Sequence, residues 1–272
     1  MEHDEREADQ ASRGGKVGTS YSLANPIDLH EVKRAGFDCI ELTWQPLDLF
    51  DPAVKARCDE VVKLAARLNL EIWSLHIPFG TDWDPSSLDP GIRDQVADRV
   101  RRVLEYARAW GIRTAVYHPS WEPVPDAERA MRLDAARHTL GMLAREATAI
   151  GIRLAAECLP RTCLGHSASE MAYLTAECPE LGVCCDVNHL FKETPQQFIE
   201  RLGDRIVTTH ISDNDGTDEK HWMPGEGVIE WQEVLRALDR IGYRGAIMHE
   251  VRKPEPVRMM ENWRRLAGGR TT

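Results

Sequence analysis

Three carboxylates and one imidazole close four short apolar runs: Glu157 ends RLAAE, Asp186 ends GVCCD, His210 ends IVTTH and Glu250 ends GAIMHE. Each run starts with strand-favouring residues and stops just before turn residues. If the runs are neighbouring parallel strands, side chains at the same end of each converge in space. A mixed oxygen and nitrogen donor set of that kind suits a hard or borderline divalent cation. Without one, three carboxylates in a low-dielectric mouth repel one another and are costly to bury. The strands around them carry little positive charge to offset this. The four residues are read as one metal centre, and the chain as a metal-dependent enzyme.

The elements that must place these residues alternate from one end of the chain to the other. Hydrophobic period read against turn signals gives strands over 16–20, 39–42, 71–76, 114–118, 153–158, 183–186, 206–211 and 246–251. Helices fall near 27–35, 53–68, 92–110, 127–150, 168–178, 195–202, 231–241 and 255–266. Glycine follows the helical pattern at Gly36, Gly111, Gly151 and Gly242, where a helix is expected to stop. Eight strand–helix units in 272 residues predict one (β/α)8 TIM barrel over 16–272, preceded by a loose tail over 1–15. An open doubly wound sheet is the competing fold, but no GxGxxG follows the first strand.

Composition narrows the function classes. The net charge of −10 disfavours non-specific attraction to nucleic-acid phosphates. No loop combines several basic residues with a projecting aromatic to grip a duplex. No apolar run approaches the roughly 20 residues that cross a bilayer, and MEHDEREADQASRGG lacks the hydrophobic stretch of a secretory signal. The seven cysteines are odd in number and contain no CxxC pair. Cys39, Cys158, Cys184 and Cys185 fall in strands and read as small buried hydrophobes, which suits a reducing cytoplasm.

In a barrel the active site forms at the carboxyl ends of the strands. The other polar residues at those ends are Glu41, His76, His118 and His189, with Asp218 and His221 in the loop after the seventh strand. His76, His118, His189, Asp218 and His221 either complete a multinuclear site or hydrogen-bond a substrate around one ion. Glu41 bonds a substrate hydroxyl or caps the turn after it. Arg161 holds a substrate phosphate or carboxylate, or forms a surface ion pair. Trp44, Phe79 and Trp222 either wall a pocket or simply pack. His249 precedes Glu250 in a strand, so period-two alternation aims it away from the site.

Taken together, Phe37-Asp38-Cys39-Ile40-Glu41-Leu42, Glu157-Cys158-Leu159-Pro160, Asp186-Val187-Asn188-His189, His210 with 213–227, and His249-Glu250 carry a family likeness. In this order the chain resembles the xylose-isomerase-like TIM-barrel superfamily, in particular its sugar phosphate isomerase/epimerase group, which includes ketose 3-epimerases. The resemblance implies that Glu157, Asp186, His210 and Glu250 hold one divalent ion, Mn2+ foremost, with Mg2+, Co2+ or Zn2+ as alternatives, and no organic cofactor. It implies that Glu157 and Glu250 face opposite sides of a small polyhydroxylated substrate and move a proton through a metal-stabilised enediolate. His189 then bonds a substrate oxygen, and relatives often form homo-oligomers; Glu41, His76, His118 and Arg161 stay candidate substrate contacts on the reading of the residues above.

The ketose epimerases carry an arginine shortly after the strand-seven histidine, and the stretch 213–217 has none. The loop instead resembles that of endonuclease IV, a trinuclear zinc phosphodiesterase on the same fold. Its Asp-x-His is spaced Asp218-x-x-His221 here. The expected function is therefore a sugar or keto-sugar isomerase or epimerase. The alternatives are a lyase, dehydratase or decarboxylase using the same enolate, and an endonuclease IV-like phosphodiesterase.

Overall fold

The computed structural model describes residues 15–268. The tail expected over 1–15 lies outside the described residues except for Gly15, which sits so close to Gly245 that a Cβ would stand 2.6 Å from its carbonyl oxygen. Eight parallel strands close into a barrel: β1 (Val17–Ser22), β2 (Cys39–Thr43), β3 (Glu71–His76), β4 (Thr114–Tyr117), β5 (Arg153–Glu157), β6 (Gly182–Asp186), β7 (Ile206–Ile211) and β10 (Ile247–His249). Chain order runs around the barrel, and β10 closes it between β7 and β1. Two short strands, β8 (Asp213–Asn214) and β9 (Glu219–Trp222), form an antiparallel hairpin in the loop after β7. The helices outside are α1 (Leu29–Ala35), α2 (Pro52–Arg67), α3 (Pro90–Ala109), α4 (Arg129–Ala149), α5 (Ala168–Thr175), α6 (Pro195–Leu202), α7 (Trp231–Arg240) and α8 (Pro256–Gly268).

Local chemistry sets most of these boundaries. The side chains of Asp28, Asp51, Asp89, Ser167 and Thr194 accept the first free N–H groups of α1, α2, α3, α5 and α6. α5 stops at Thr175, short of the expected 178: the Ala176 N–H turns to Tyr173 O, and Pro179 disfavours helical backbone at Cys178. β4 and β5 each end one residue early, which leaves His118 and Cys158 in loops. The eighth barrel strand shrinks from 246–251 to Ile247–His249, so Glu250 stands just past its end.

Alternation then sorts the side chains. Small apolar residues fill the barrel interior below the mouth in two clusters, Cys39, Ala246 and Met248, and Val116, Ala155 and Cys184. Two residues further along their own strands, Cys39, Ala155, Cys184 and Met248 are followed by Glu41, Glu157, Asp186 and Glu250, which therefore stand above this apolar floor. His249 points the other way, as its place in the strand predicts. Its ring meets Phe37 and Trp263 edge-on, and its Nδ1–H donates to the Gly18 carbonyl at 3.1 Å.

The larger core lies between the sheet and the helices. Leu140 and Leu143 of α4 are fully buried there beside Val100 and Val103 of α3. Replacing Leu140 by alanine is expected to cost about 2–5 kcal/mol, through lost burial and the cavity left behind. A lowered midpoint in urea with unchanged slope will show it. Among the described residues no helix is long and apolar enough to cross a membrane. All seven cysteines are buried and unpaired.

Candidate metal centre

The parallel register sets Asp186 beside His210 and His210 beside Met248, two residues before Glu250. The donor atoms of Glu157, Asp186, His210 and Glu250 all lie within 4.8 Å of one another. His210 Nδ1 is 2.9 Å from Glu157 Oε1, 3.1 Å from Glu250 Oε2 and 3.8 Å from Asp186 Oδ2. The four strand-end residues thus form one cluster.

The fit to a cation can be judged from Asp186. Its Oδ1 accepts the Asn188 N–H at 2.7 Å, while Oδ2 is buried and has no hydrogen-bond partner. Burial pushes its carboxyl up to about 7, and Glu250 and Glu157 add to the rise. Leaving a buried carboxylate oxygen unsatisfied costs free energy. An orphaned oxygen facing two more carboxylates and an imidazole nitrogen is what a divalent ion would satisfy. The residues fit the group.

Charge within the site is shared with histidines. Burial disfavours ionised Glu157, but His210, His118 and His76 outweigh it and hold its pKa well below the usual carboxylate range. Burial likewise resists a charge on Glu250, yet His210 brings its pKa down to about 2. His76 and His118 grip the second oxygen of Glu157 through their Nε2 atoms at 2.9 and 3.0 Å. Phe79 stacks on His118 with ring centroids 4.5 Å apart. It walls the site, whereas Trp44 is wholly buried packing and Trp222 is partly exposed.

Glu41 was expected to meet a substrate hydroxyl or cap a turn. It lies behind His210 instead, buried, with Oε1 2.9 Å from His210 Nε2 and Oε2 accepting from Ser74 Oγ at 2.7 Å. The Nε2 contact is close but poorly aligned, and that nitrogen has no formed hydrogen bond. With Nδ1 taken by an ion, Nε2 carries the proton, and a small turn of the ring would let it donate to Glu41; a carboxylate so bonded behind a ligating imidazole fixes the ring and raises its basicity. Glu41→Gln is therefore expected to weaken metal affinity by roughly 10–100-fold, as measured by competition with a chelator.

The loop after β7 differs from its sequence reading in one respect. Asp218 does not join His189 and His221; it is half-exposed, with Oδ1 2.8 Å from Arg161 Nη1. Glu219 takes its place, with Oε2 2.8 Å from His189 Nε2 and 3.8 Å from His221 Nε2. The reason is strand alternation: in β9, residues 219 and 221 share a face, while 218 precedes the strand. The acid-x-His spacing that Asp218-x-x-His221 breaks is restored by Glu219-Lys220-His221, a signal present in the sequence and overlooked there. Apart from a group that includes Cys184, three donor groups of carboxylates and imidazoles result among the described residues: the four-ligand cluster, His76 with His118 and Glu157, and His189 with Glu219 and His221.

Two further residues lacked any such signal. Asp213, in a loop that reads as merely polar, is fully buried and accepts from Gly225 N at 2.7 Å, Ile229 N at 3.1 Å and Trp231 Nε1 at 2.8 Å. It ties the hairpin base to the start of α7. Gly227 must be glycine there, since a Cβ would stand 2.1 Å from Asn214 O. Cys184 lies one rung below Asp186, where its sulfur forms a further close group with Glu157 and His210.

A closed parallel barrel bearing a carboxylate–imidazole cluster at the carboxyl ends of its strands defines the class: a TIM-barrel protein with a candidate metal centre. The chain belongs to the xylose isomerase-like TIM barrel family, whose sequence pattern it matches over residues 29–267. It is 28% identical over 248 residues to an uncharacterized protein of Methanocaldococcus jannaschii, covering 86% of this chain and 83% of the other. It is 24% identical over 269 residues to the ketose 3-epimerase of Arthrobacter globiformis, covering 93% of this chain and 88% of that enzyme. The crystal structure of a D-tagatose 3-epimerase-like protein superposes with a TM-score of 0.81 at 25% identity, covering 94% of this chain and all of the other (100%). An L-ribulose 3-epimerase structure, 18% identical and with coverage of 94% of each chain, shares the fold with a TM-score of 0.74.

Proposed function

We propose that the protein is a divalent-metal-dependent isomerase or epimerase of a small sugar or keto-sugar. The observation that carries this reading is the convergence of Glu157, Asp186, His210 and Glu250 with the unsatisfied Asp186 Oδ2 among them. The sugar epimerases among its relatives support the substrate class. When bound, the ion supplies Lewis acidity to the carbonyl and hydroxyl oxygens of the substrate. Glu157, Asp186, His210 and Glu250 would hold it.

The chain's own residues divide the remaining work by exposure. Side chains of Glu157, Asp186 and His210 are sealed from solvent, whereas that of Glu250 is 32% exposed at the mouth. Glu250 is the carboxylate placed to take a proton from a carbon beside a carbonyl. Glu157, itself ionised, relays to the other side a proton from His76, whose Nε2–H donates to Glu157 Oε2 at 2.9 Å, while His118 and His210 balance its charge. Return to the same carbon inverts it; return to the neighbouring carbon moves the carbonyl. Phe79, stacked on His118, shields one wall from water.

The test is exchange of carbon-bound substrate hydrogen with deuterated solvent, followed by NMR over a panel of aldoses and ketoses with Mn2+-loaded protein. Exchange that needs the metal supports the reading, and its absence across the panel overturns it. Loss of a substrate group during turnover would identify a lyase using the same proton abstraction. A second reading, metal-dependent phosphodiester cleavage, is favoured by one observation, the three donor groups linked through Glu157 and the hairpin. It predicts three ions per chain and cleavage of DNA at abasic sites. The buried, unpaired cysteines fit a cytoplasmic setting.

A further inference from the structure

Arg161 lies in the loop after β5, four residues past Glu157, and its backbone takes a left-handed φ of 53°. That conformation is unfavourable for residues with a long side chain and is the province of glycine, then asparagine and aspartate. A glycine would serve the turn better. The case for arginine must therefore come from its side chain.

Every nitrogen of the guanidinium meets a carboxylate. Nε is 3.0 and 3.1 Å from the two oxygens of Glu122, in the loop after β4, and Nη2 is 2.8 Å from Glu122 Oε1. Nη1 donates to Asp218 Oδ1 at 2.8 Å and to Glu219 Oε1 at 3.0 Å, and Nη2 donates to Glu219 Oε1 at 2.9 Å. One side chain thus joins three loops. A planar fork of donors suits such bridging in a way that a point charge does not. A substrate phosphate would have to displace three carboxylates to reach it, so the anion-binding role expected from the sequence is disfavoured.

Glu219 carries the connection inward. Its Oε1 is held by Arg161 while Oε2 lies 2.8 Å from His189 Nε2. The other ring nitrogen of His189 donates to the Cys158 carbonyl at 2.9 Å and lies 3.4 Å from Asp186 Oδ2. On its far side the hairpin is fastened separately: His221 Nδ1 meets the Glu250 carbonyl at 3.0 Å, and Arg252 N–H donates to His221 O at 2.9 Å. Removing Arg161 would release one edge of the hairpin and leave the other attached.

We propose that Arg161 is a positioning residue that pins the β8–β9 hairpin beside the mouth and, through Glu219, fixes the His189 ring beside Asp186. This is independent of the reaction proposed above, because it concerns how the site is held. The test uses the full, metal-free chain labelled with 15N-histidine, with the His189 ring signals assigned through His189→Gln. In Arg161→Ala and in Glu219→Gln the His189 ring signals are expected to shift, while those of His249, on the opposite face of β10, stay in place. Amide hydrogen exchange over 215–221 should accelerate by about tenfold or more relative to the barrel strands.

Arg161→Lys, whose single ammonium can reach Glu219 but cannot span three loops, should restore part of both effects. It also keeps the test open if the alanine variant folds poorly. Unmoved His189 signals in Arg161→Ala overturn the proposal. So does a general shift in all three variants that includes His249, since that marks overall loosening.

Discussion

Glu250→Gln is expected to reduce metal-dependent exchange of substrate hydrogen by roughly 10²–10⁴-fold, the range a positioned acid–base group contributes. The amide keeps the size and one oxygen donor of the carboxylate but cannot accept the proton. Glu250 is the informative target because it alone among the four ligands is open to the mouth, and because it stands past the end of its strand. Its backbone is secured by its own N–H to Ile211 O at 3.1 Å and by His221 on its carbonyl at 3.0 Å. The substitution should therefore leave the fold intact. Metal content measured on the same sample separates a lost base from a lost ligand. Exchange that survives at the parent rate with metal still bound would remove Glu250 from the chemistry.

The outline of the barrel was legible because its signals are local. Apolar runs and glycine after helices act within a few residues, so all eight strands and eight helices are found near their expected places. Errors gathered at the ends of elements, at the last turn of α5 before Pro179 and at strand ends where one more residue of pairing decides the boundary. The four-ligand centre was legible for a related reason: each ligand ends its own run, and a parallel barrel brings such ends together.

The surroundings of the centre were harder to read. Glu41 faces His210 from the side away from its other carboxylate neighbours, a relation set by pairing across the barrel rather than by spacing in the chain. Asp213 and Glu219 sit in one run of polar residues that looks uniformly solvated, yet the first is fully buried and the second meets His189. What separates them is a two-strand hairpin too short to announce itself by hydrophobic pattern. Arg161 shows the same limit, since its partners come from two other loops, after β4 and after β7.

The number of ions decides between the two chemistries, and the structure makes the outcome specific. Purified protein is expected to carry one tightly bound divalent ion per chain by elemental analysis, falling to none in Asp186→Ala. Asp186 is the ligand with the clearest need, because its Oδ2 alone among the carboxylate oxygens of the cluster is buried and unsatisfied. The other two donor groups are already occupied from within: His76 and His118 grip Glu157, and Glu219 is divided between Arg161 and His189. An ion at any of these groups must displace such contacts, including His210 from Glu157 at the four-ligand centre, but only that centre offers a fourth donor with an unsatisfied oxygen, so the other two should bind more weakly. His221→Gln accordingly should leave the count at one. Three ions per chain, with one lost in His221→Gln and the rest kept, would instead assign the hairpin to metal binding and turn the reading toward phosphodiester cleavage.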